Sequence, residues 1–354
     1  MPDRLGRRRP QPKSLALPVR ARQTVGATPE DPATRAQRSV ISTDPSPTSI
    51  AGKAPTEVPG FGRALIGAFT AVLLWAGYYL ITRYGLARSL TVEDLVAARY
   101  IVPGVLLLPL VRRLGVSRRG IGGLSWTKAA LLTATGGLQF GWFVTAGLQY
   151  APAAQASIFT SAGVPLFVVL LAWPLLRELP TVGQVVGVGL IVLGDVLVVS
   201  RGLAGGTDQL AGQIMFLVAG VGWALYTLFI RRWQVNGMVA TVVISVGSGA
   251  LFLPYYLLFG ASNLSAAPPL EIAVQFAYMG ALVGIGATLA YTAAVKVLGA
   301  QRTALTTALV PACATVLGIP FLGEIPTVHE AIGVVAVSIG MPFALGWRPW
   351  RQPA

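Results

Sequence analysis

Two carboxylates stand at matching positions in stretches of the chain that carry almost no other charge. Glu178 lies in the sequence RELPT, and Glu324 lies 146 residues later in GEIPT. A carboxylate within an apolar region can carry a proton. An acid next to a helix start can instead be structural, because helix N-termini favour negative charge. The neighbouring residues favour the structural role.

The residues that follow each acid have the spacing of a helix start. Thr181-x-x-Gln184 and Thr327-x-x-Glu330 match the capping box, in which two side chains satisfy each other's backbone N–H groups. A proline stands directly before each Thr and ends the preceding helix. We therefore predict that the two acids lie in tight turns between helices.

Two further charges lie within apolar segments, where a charge is costly and rarely without a role. Arg99 belongs to the second segment and Asp195 to the fifth. Both lie about 8–9 Å from the same boundary, at 1.5 Å of helix rise per residue. We expect them to form an ion pair, or else Arg99 to extend to the lipid headgroups.

The inventory of reactive side chains argues against an enzyme. One cysteine, Cys313, and one histidine, His329, exclude an internal disulfide, a Cys-rich metal site and a His pair. Ser248 in GSG does not match the G-x-S-G of an intramembrane serine protease, and no phosphate loop of the Walker type is present. We expect no catalytic residue, no metal and no cofactor.

The composition is that of a membrane protein. Of 354 residues, 54% are hydrophobic and 11% charged, whereas soluble domains carry about a quarter charged residues. The net charge is +14, but ten Lys/Arg and five acids fall in residues 1–60 and the rest are spread over short loops. This distribution is typical of membrane topology and argues against a nucleic-acid partner.

The elements that must position these side chains are ten apolar segments, each close to the 20 or so residues that cross a bilayer. Because lipid admits only helices or closed barrels and no strand-like alternation is present, we predict an all-α integral membrane protein. Counting basic residues in the loops places both termini in the cytoplasm. The segments are 63–82, 92–111, 127–148, 153–175, 182–200, 211–230, 239–260, 272–295, 300–322 and 328–347.

The chain also repeats itself. Residues 154–194 and 300–340 align without a gap and share 16 of 41 positions, and WAGYYLITR at Trp75 matches WALYTLFIR at Trp223. Five helices per repeat is an odd number, so the second copy enters the membrane from the opposite face. Such inverted repeats are common in secondary transporters. We predict repeats at 61–202 and 209–347, after a disordered basic tail at 1–60 that is poor in aromatic residues.

The two repeats, each with a Trp-containing first helix and the signature P…LxExPTxx(Q/E)xxG, resemble the drug/metabolite transporter superfamily of the EamA type. The best match is TTALVPACATVLGIPFLGEIPTVHEAIG, and Arg177 departs from the Gly that is usual there. The resemblance implies a central cavity and export of small metabolites or amino-acid-like solutes across the cell membrane. The implied partners are the solute, the lipid bilayer and a coupling proton or other ion.

Such a cavity would draw on aromatic and hydroxyl side chains, which suit amphipathic or zwitterionic solutes. The alternative for Trp and Tyr is the belt at the membrane interface. The predicted cavity residues are Trp75, Tyr78, Tyr79, Gln139, Trp142, Thr160, Ser161, Trp223, Tyr226, Tyr291, Thr306 and Thr307.

The remaining candidates are mechanical. Pro165 and Pro311 occupy equivalent places in the fourth and ninth helices, where each can introduce a kink. Runs of small residues, TGGLQFG and GIGATLA, favour close helix packing. Structural or gating roles are thus predicted for both prolines, the repeated acids, Arg99 and Asp195. A membrane scaffold without transport is the alternative function.

Overall fold

The computed structural model describes residues 60–202 and 207–346, and the described part is almost wholly helical. The predicted tail at 1–60 lies outside the described residues except for Gly60. The α-helices are α1 (Phe61–Leu86), α2 (Val92–Leu114), α3 (Trp126–Leu132), α4 (Phe140–Gly147), α5 (Ala153–Leu176), α6 (Val182–Gly202), α7 (Thr207–Trp233), α8 (Gly237–Phe259), α9 (Pro269–Phe276), α10 (Thr288–Leu298), α11 (Ala300–Thr306), α12 (Val310–Leu322) and α13 (Val328–Ala344).

Irregular helices and a small sheet complete the described chain. Two π-helices, π1 (Thr133–Gln139) and π2 (Ala277–Ala287), join α3 to α4 and α9 to α10, and a turn of 3-10 helix at Thr307–Leu309 precedes α12. Between α2 and α3 lies an antiparallel sheet of three two-residue strands, β1 (Val116–Ser117), β2 (Gly120–Ile121) and β3 (Leu124–Ser125).

Within the described ranges, seven helical segments are long and apolar enough to cross a membrane. Two more, Val182–Val198 and Val328–Ala344, are apolar but shorter. The third predicted segment is divided among α3, π1 and α4. The prediction of an all-helical protein with several membrane-crossing segments is therefore confirmed.

Both predicted capping boxes are present. The Thr327 side chain accepts from the backbone N–H of Glu330 at 3.3 Å, and the Glu330 side chain accepts from the backbone N–H of Thr327 at 2.8 Å. Thr181 and Gln184 make the same exchange at 3.3 and 2.9 Å. These bonds satisfy N–H groups that a helix start leaves free, and they begin α6 and α13 directly after the turns that hold the two acids.

The runs of small residues do more than allow close packing. TGGLQ falls in π1 and GIGA in π2, so each run marks a place where the α-helical ladder is wound more widely. Gly137 has the non-helical angles φ −100° and ψ −106°. Its carbonyl accepts a hydrogen bond from the Tyr100 hydroxyl at 2.5 Å. An inserted partner of this kind is a recognised cause of a kink.

Helices α6 and α13 cross at glycines. A Cβ on Gly187 would lie 2.7 Å from the Gly340 carbonyl oxygen, and one on Gly194 would lie 2.8 Å from that of Gly333. The contact runs antiparallel, since the earlier glycine of α6 meets the later glycine of α13. Gly187 corresponds to Gly333 and Gly194 to Gly340 in the internal alignment, so the two contacts exchange under the repeat.

Candidate functional site

Arg99 of α2 lies in a cage of aromatic rings. Its guanidinium carbon is 4.2 Å from the centre of the Tyr78 ring, 5.7 Å from that of Tyr100 and 5.6 Å from that of Phe140. Each such contact contributes about 0.5–2 kcal/mol. The Arg99 Nε and Nη1 atoms are buried and make no hydrogen bond, and the same holds for the Tyr78 hydroxyl. The cage thus holds a cation without giving all of its N–H groups an acceptor.

The two adjacent tyrosines of α1 face different neighbours, because successive residues of a helix are about 100° apart. Tyr78 faces Arg99, whereas the Tyr79 hydroxyl lies 2.7 Å from the Thr160 Oγ1 and 3.4 Å from the Ser161 Oγ of α5. Both tyrosine rings are buried, with centres 5.1 Å apart. Four of the predicted cavity residues therefore lie together.

The aromatic chain continues into the second half of the protein. The Phe140 ring centre is 4.7 Å from that of Trp223 in α7, which is 5.0 Å from that of Tyr226. Also on α1, the centre of the Trp75 ring lies 5.3 Å from that of Tyr291 in α10. Side chains that contact one another thus run from Thr160 through Arg99 to Tyr226.

The prediction of an ion pair between Arg99 and Asp195 is wrong. The described residues show no such pair, and the Oδ1 atom of the buried Asp195 has no hydrogen-bond partner. The depth of each residue along its helix follows from its position in the chain, but the direction in which its side chain points does not. Asp195 lies on α6, beside the glycine that contacts α13, while Arg99 faces α1 and α4. The alternative, extension to the headgroups, disagrees with the buried Nε and Nη1.

Two predicted cavity residues line a separate pocket. Gln139 and Trp142 face a cavity of about 410 Å³ against α8. Trp142 contacts the rings of Phe252 and Tyr255 there, with centres 6.1 and 5.9 Å away. The Gln139 side chain donates to the Val218 carbonyl at 2.5 Å. The lining residues are Leu138, Gln139, Trp142, Phe143, Leu251, Phe252 and Tyr255.

The two threonines predicted on the ninth helix bond to their own helix. The Thr306 hydroxyl donates to the Thr303 carbonyl and the Thr307 hydroxyl to the Ala304 carbonyl, both at 2.7 Å. The helix changes to 3-10 geometry at Thr307–Leu309, just before Pro311. Around Pro165, in contrast, α5 runs unbroken. The two equivalent prolines therefore differ in their surroundings.

The repeated acids form ion pairs between the two halves of the chain. Glu324 Oε1 lies 3.4 Å from Arg83 Nε, and Glu178 Oε2 lies 3.0 Å from Arg231 Nη2. Arg83 and Arg231 close the two matching WA…R segments, so one pair is the repeat image of the other. The side chains of the first pair are 28% and 21% exposed and those of the second 49% and 52%, so the first is the more enclosed.

Glu324 has a second function at the start of α5. Its Oε2 accepts from the backbone N–H of Ala153 at 3.0 Å, at a helix end that has free N–H groups. Burial raises the pKa of the Glu324 carboxyl above its ordinary value, and the Ala153 N–H and the Arg83 guanidinium offset this only in part. The prediction that both acids lie in turns agrees with their position between helices.

Three groups of interacting residues were not predicted from the sequence. Tyr100 and Phe140 form two walls of the Arg99 cage, and only their spacing around an intramembrane arginine could have indicated this. Asp94, in the first turn of α2, accepts from the Tyr256 hydroxyl at 2.5 Å and the Ser262 hydroxyl at 2.9 Å. Asp94 lies three residues after Thr91 and forms a capping box with it, and this spacing could have been recognised in the sequence.

A third missed group is a line of buried amides. Gln213 of α7 donates to the Gln155 side chain at 2.9 Å, and Gln155 donates to Glu330 Oε1 at 2.8 Å. Glu330 therefore serves both its capping box and this network. The line connects α5, α7 and α13.

Comparison with known proteins shows similarity to membrane transporters. The EamA-like transporter family matches residues 62–200 and 210–345. The chain is 26% identical over 254 residues to an uncharacterized transporter of Clostridium kluyveri, which covers 68% of this chain and 79% of that protein. It is also 26% identical over 205 residues to the uncharacterized transporter YyaM of Bacillus subtilis, 56% of this chain and 67% of that protein.

A solved crystal structure of a protein is among those that resemble the fold. It superimposes with a TM-score of 0.56 at 22% identity and covers 80% of this chain and 96% of that one. At this identity the likeness concerns the fold alone.

Proposed function

Because the chain belongs to the EamA-like transporter family, within the drug/metabolite transporter superfamily, we propose that it is a secondary active transporter. In this proposal it exports small organic metabolites or amino-acid-like solutes across the cytoplasmic membrane by alternating access. Two five-helix repeats of inverted topology, at 61–202 and 209–347, make ten membrane helices with both termini in the cytoplasm.

The observation that carries the proposal is the exchange of contacts between the halves. The contact of Gly187 with Gly340 maps onto that of Gly333 with Gly194, and the pair Arg83–Glu324 maps onto Arg231–Glu178. An antiparallel pair of equivalent helices is what a two-fold axis in the membrane plane generates. Two halves joined by equivalent contacts can exchange two arrangements of similar free energy, which alternating access requires.

The two ion pairs fall on opposite faces in this topology, with Arg83–Glu324 outside and Arg231–Glu178 in the cytoplasm. The more enclosed outer pair supports a state that is closed towards the outside. Opening the outer face would then break Arg83–Glu324 and leave the inner pair in place. The aromatic chain around Tyr79 and Arg99 lies between the halves, and there the solute would bind.

Coupling to a proton is a further part of the proposal. Asp195 is buried within α6, and its Oδ1 lacks a partner. An ionisable group of this kind within a membrane helix marks an ion pathway by default. Replacement by Asn would remove the proton site at nearly constant shape. Solute counterflow should then persist while proton-driven accumulation is lost.

The alternative is a membrane scaffold that keeps the fold without transport. A scaffold could fill its centre with aliphatic side chains, whereas this chain places Tyr79, Thr160 and Arg99 there. The deciding experiment is counterflow of amino acids and small metabolites into proteoliposomes that contain the purified full chain. Exchange of at least one solute class supports transport, and the absence of any flux favours the scaffold.

A further inference from the structure

We propose that the aromatic cage around Arg99 is the subsite that binds the carboxylate of the transported solute. The inference rests on the proposed function and deepens it by naming a substrate class, small carboxylates including amino acids. Its basis is a buried cation of which two nitrogens, Nε and Nη1, lack hydrogen-bond acceptors.

The first step of the argument concerns charge. Arg99 is the eighth residue of α2, an apolar helix in which an uncompensated cation is costly. Within the part of the chain that the structure describes, no carboxylate forms an ion pair with it. Aromatic faces attract the guanidinium but cannot accept its in-plane N–H groups as carboxylate oxygens do. A bound anion would supply the negative charge and the hydrogen-bond acceptors that the described residues do not provide.

The second step concerns the unused polar atoms. Arg99 Nε and Nη1 and the Tyr78 hydroxyl are all buried and without hydrogen-bond partners. Buried polar groups are nearly always paired, so an unpaired group calls for a specific reason. Here three such atoms belong to two side chains that contact each other, with the guanidinium carbon 4.2 Å from the ring centre. This clustering points to one missing ligand.

The third step selects the kind of anion. The cage presents one guanidinium, and its other walls are the rings of Tyr78, Tyr100 and Phe140. One positive charge balances the single negative charge of a carboxylate but not a phosphate dianion. Beyond Tyr78, the hydroxyl groups of Tyr79, Thr160 and Ser161 form a polar continuation that could face an ammonium or hydroxyl group of the solute.

The test compares matched ligands on the purified full chain. Thermal stabilisation and counterflow are measured with amino acids and benzoate, with the carboxamide of each, and with inorganic phosphate. The carboxylates should bind roughly 10- to 100-fold more tightly than their carboxamides, the range expected for hydrogen bonds between charged groups. Equal binding of acid and amide across the panel, no carboxylate-dependent stabilisation at all, or a preference for phosphate over every carboxylate would overturn the inference.

Variants assign the effect to the cage. Arg99→Gln should abolish the preference for carboxylates, and Arg99→Lys should restore part of it because the charge returns. Tyr78→Phe, which keeps the ring and removes the unpaired hydroxyl, should weaken carboxylate binding several-fold and serves as the second variant if Arg99→Gln fails to fold. The matched control is Arg88→Gln, since Arg88 is exposed and also lies over a tyrosine ring, that of Tyr84 at 4.5 Å.

The outcomes separate this subsite from the proposed function. If carboxylates bind through Arg99 but no solute is exchanged, the subsite stands and transport fails. If carboxylates are exchanged equally well by the wild type and Arg99→Gln, transport stands and the subsite fails. An equal loss of binding in Arg88→Gln would mean a general surface charge effect and would also overturn it.

Discussion

Arg83 and Glu324 form an ion pair at 3.4 Å that joins the first EamA-like segment to the second, and the same pairing recurs 148 and 146 residues away as Arg231 and Glu178. Each arginine ends the aromatic stretch of a repeat's first helix, and each acid lies in the turn of the other repeat. The copies differ in exposure and in an extra bond from Ala153 to Glu324. Because of these differences, removing each acid should change the free energy of unfolding by a different amount.

We predict that Glu324→Ala destabilises the protein more than Glu178→Ala. Removing Glu324 leaves the Ala153 N–H and the Nε–H of Arg83 without their acceptor, which costs about 1–3 kcal/mol. The Glu178 pair is half exposed, and such pairs contribute about 0–1 kcal/mol. Thermal unfolding in one detergent measures both. Equal destabilisation would contradict the unequal enclosure of the two pairs.

The raised pKa of Glu324 predicts a pH dependence with a definite sign. A carboxyl whose pKa is higher in the folded state favours folding below its unfolded pKa. That contribution is lost as the pH rises from the ordinary 4.5 through the raised value. The thermal midpoint of the wild type should therefore contain a component that falls with rising pH over this window. Glu324→Gln should lack the component, and Glu178→Gln, the control, should retain it.

The crossing of α6 and α13 predicts a sharp contrast between two nearby glycines. Gly187→Ala would place a Cβ 2.7 Å from the Gly340 carbonyl oxygen, a backbone atom that cannot turn aside, so the helices must separate. We expect a loss of about 1–3 kcal/mol. Gly189→Ala, two residues later, meets no described atom within 4 Å and should be neutral or stabilising by up to about 1 kcal/mol. Matching losses would disprove the close crossing.

The turn between α5 and α6 contains a strained arginine. Arg177 has φ +58°, whereas its counterpart Gly323 has φ +68° at the equivalent position after α12. Left-handed backbone costs a non-glycine residue about 1–2 kcal/mol. Arg177→Gly should relieve this cost, but glycine also gains conformational freedom in the unfolded chain, which offsets part of the gain. The free energy of unfolding should therefore rise by up to about 1 kcal/mol. Gly323→Ala is the reciprocal variant and should lower the thermal midpoint.

The sequence allowed local features to be predicted well. The capping boxes at Thr181 and Thr327 depend on contacts three residues apart, and both are present in the structure. The turns around the two acids follow from the same local pattern. The partners of those acids were less visible, although Arg83 and Arg231 already matched each other in the internal alignment. Matching positions in two repeats could have indicated that they serve matching contacts.

Side-chain directions between helices could not be predicted. Arg99 and Asp195 have similar calculated depths, but depth does not fix the rotation of a helix about its axis. That rotation follows from packing, such as the glycine crossing that places Asp195 on the side of α6 near α13. The wide turns of π1 and π2 rotate the residues that follow them and add a further error to any count of 3.6 residues per turn.

The last prediction tests whether the Arg83–Glu324 pair holds one face closed. Cys313 of α12 is a single native thiol, half-buried, about 14 Å along the helix from its end at Leu322. If the pair closes the outer face, Glu324→Ala shifts the population towards the outward-open state. A coupling of about 1 kcal/mol changes such a population about fivefold. Labelling of Cys313 by a membrane-impermeant maleimide added outside should accelerate by that factor in oriented vesicles.

The control for this measurement is the repeat image of the pair. Glu178→Ala weakens the inner contact in the same way and should leave outside labelling unchanged or slower, because it favours opening towards the cytoplasm. Cys313→Ser removes the thiol and gives the background. If both acid variants accelerated outside labelling equally, general loosening of the helices would explain the result. The two ion pairs would then be structural contacts of the turns and not determinants of which face opens.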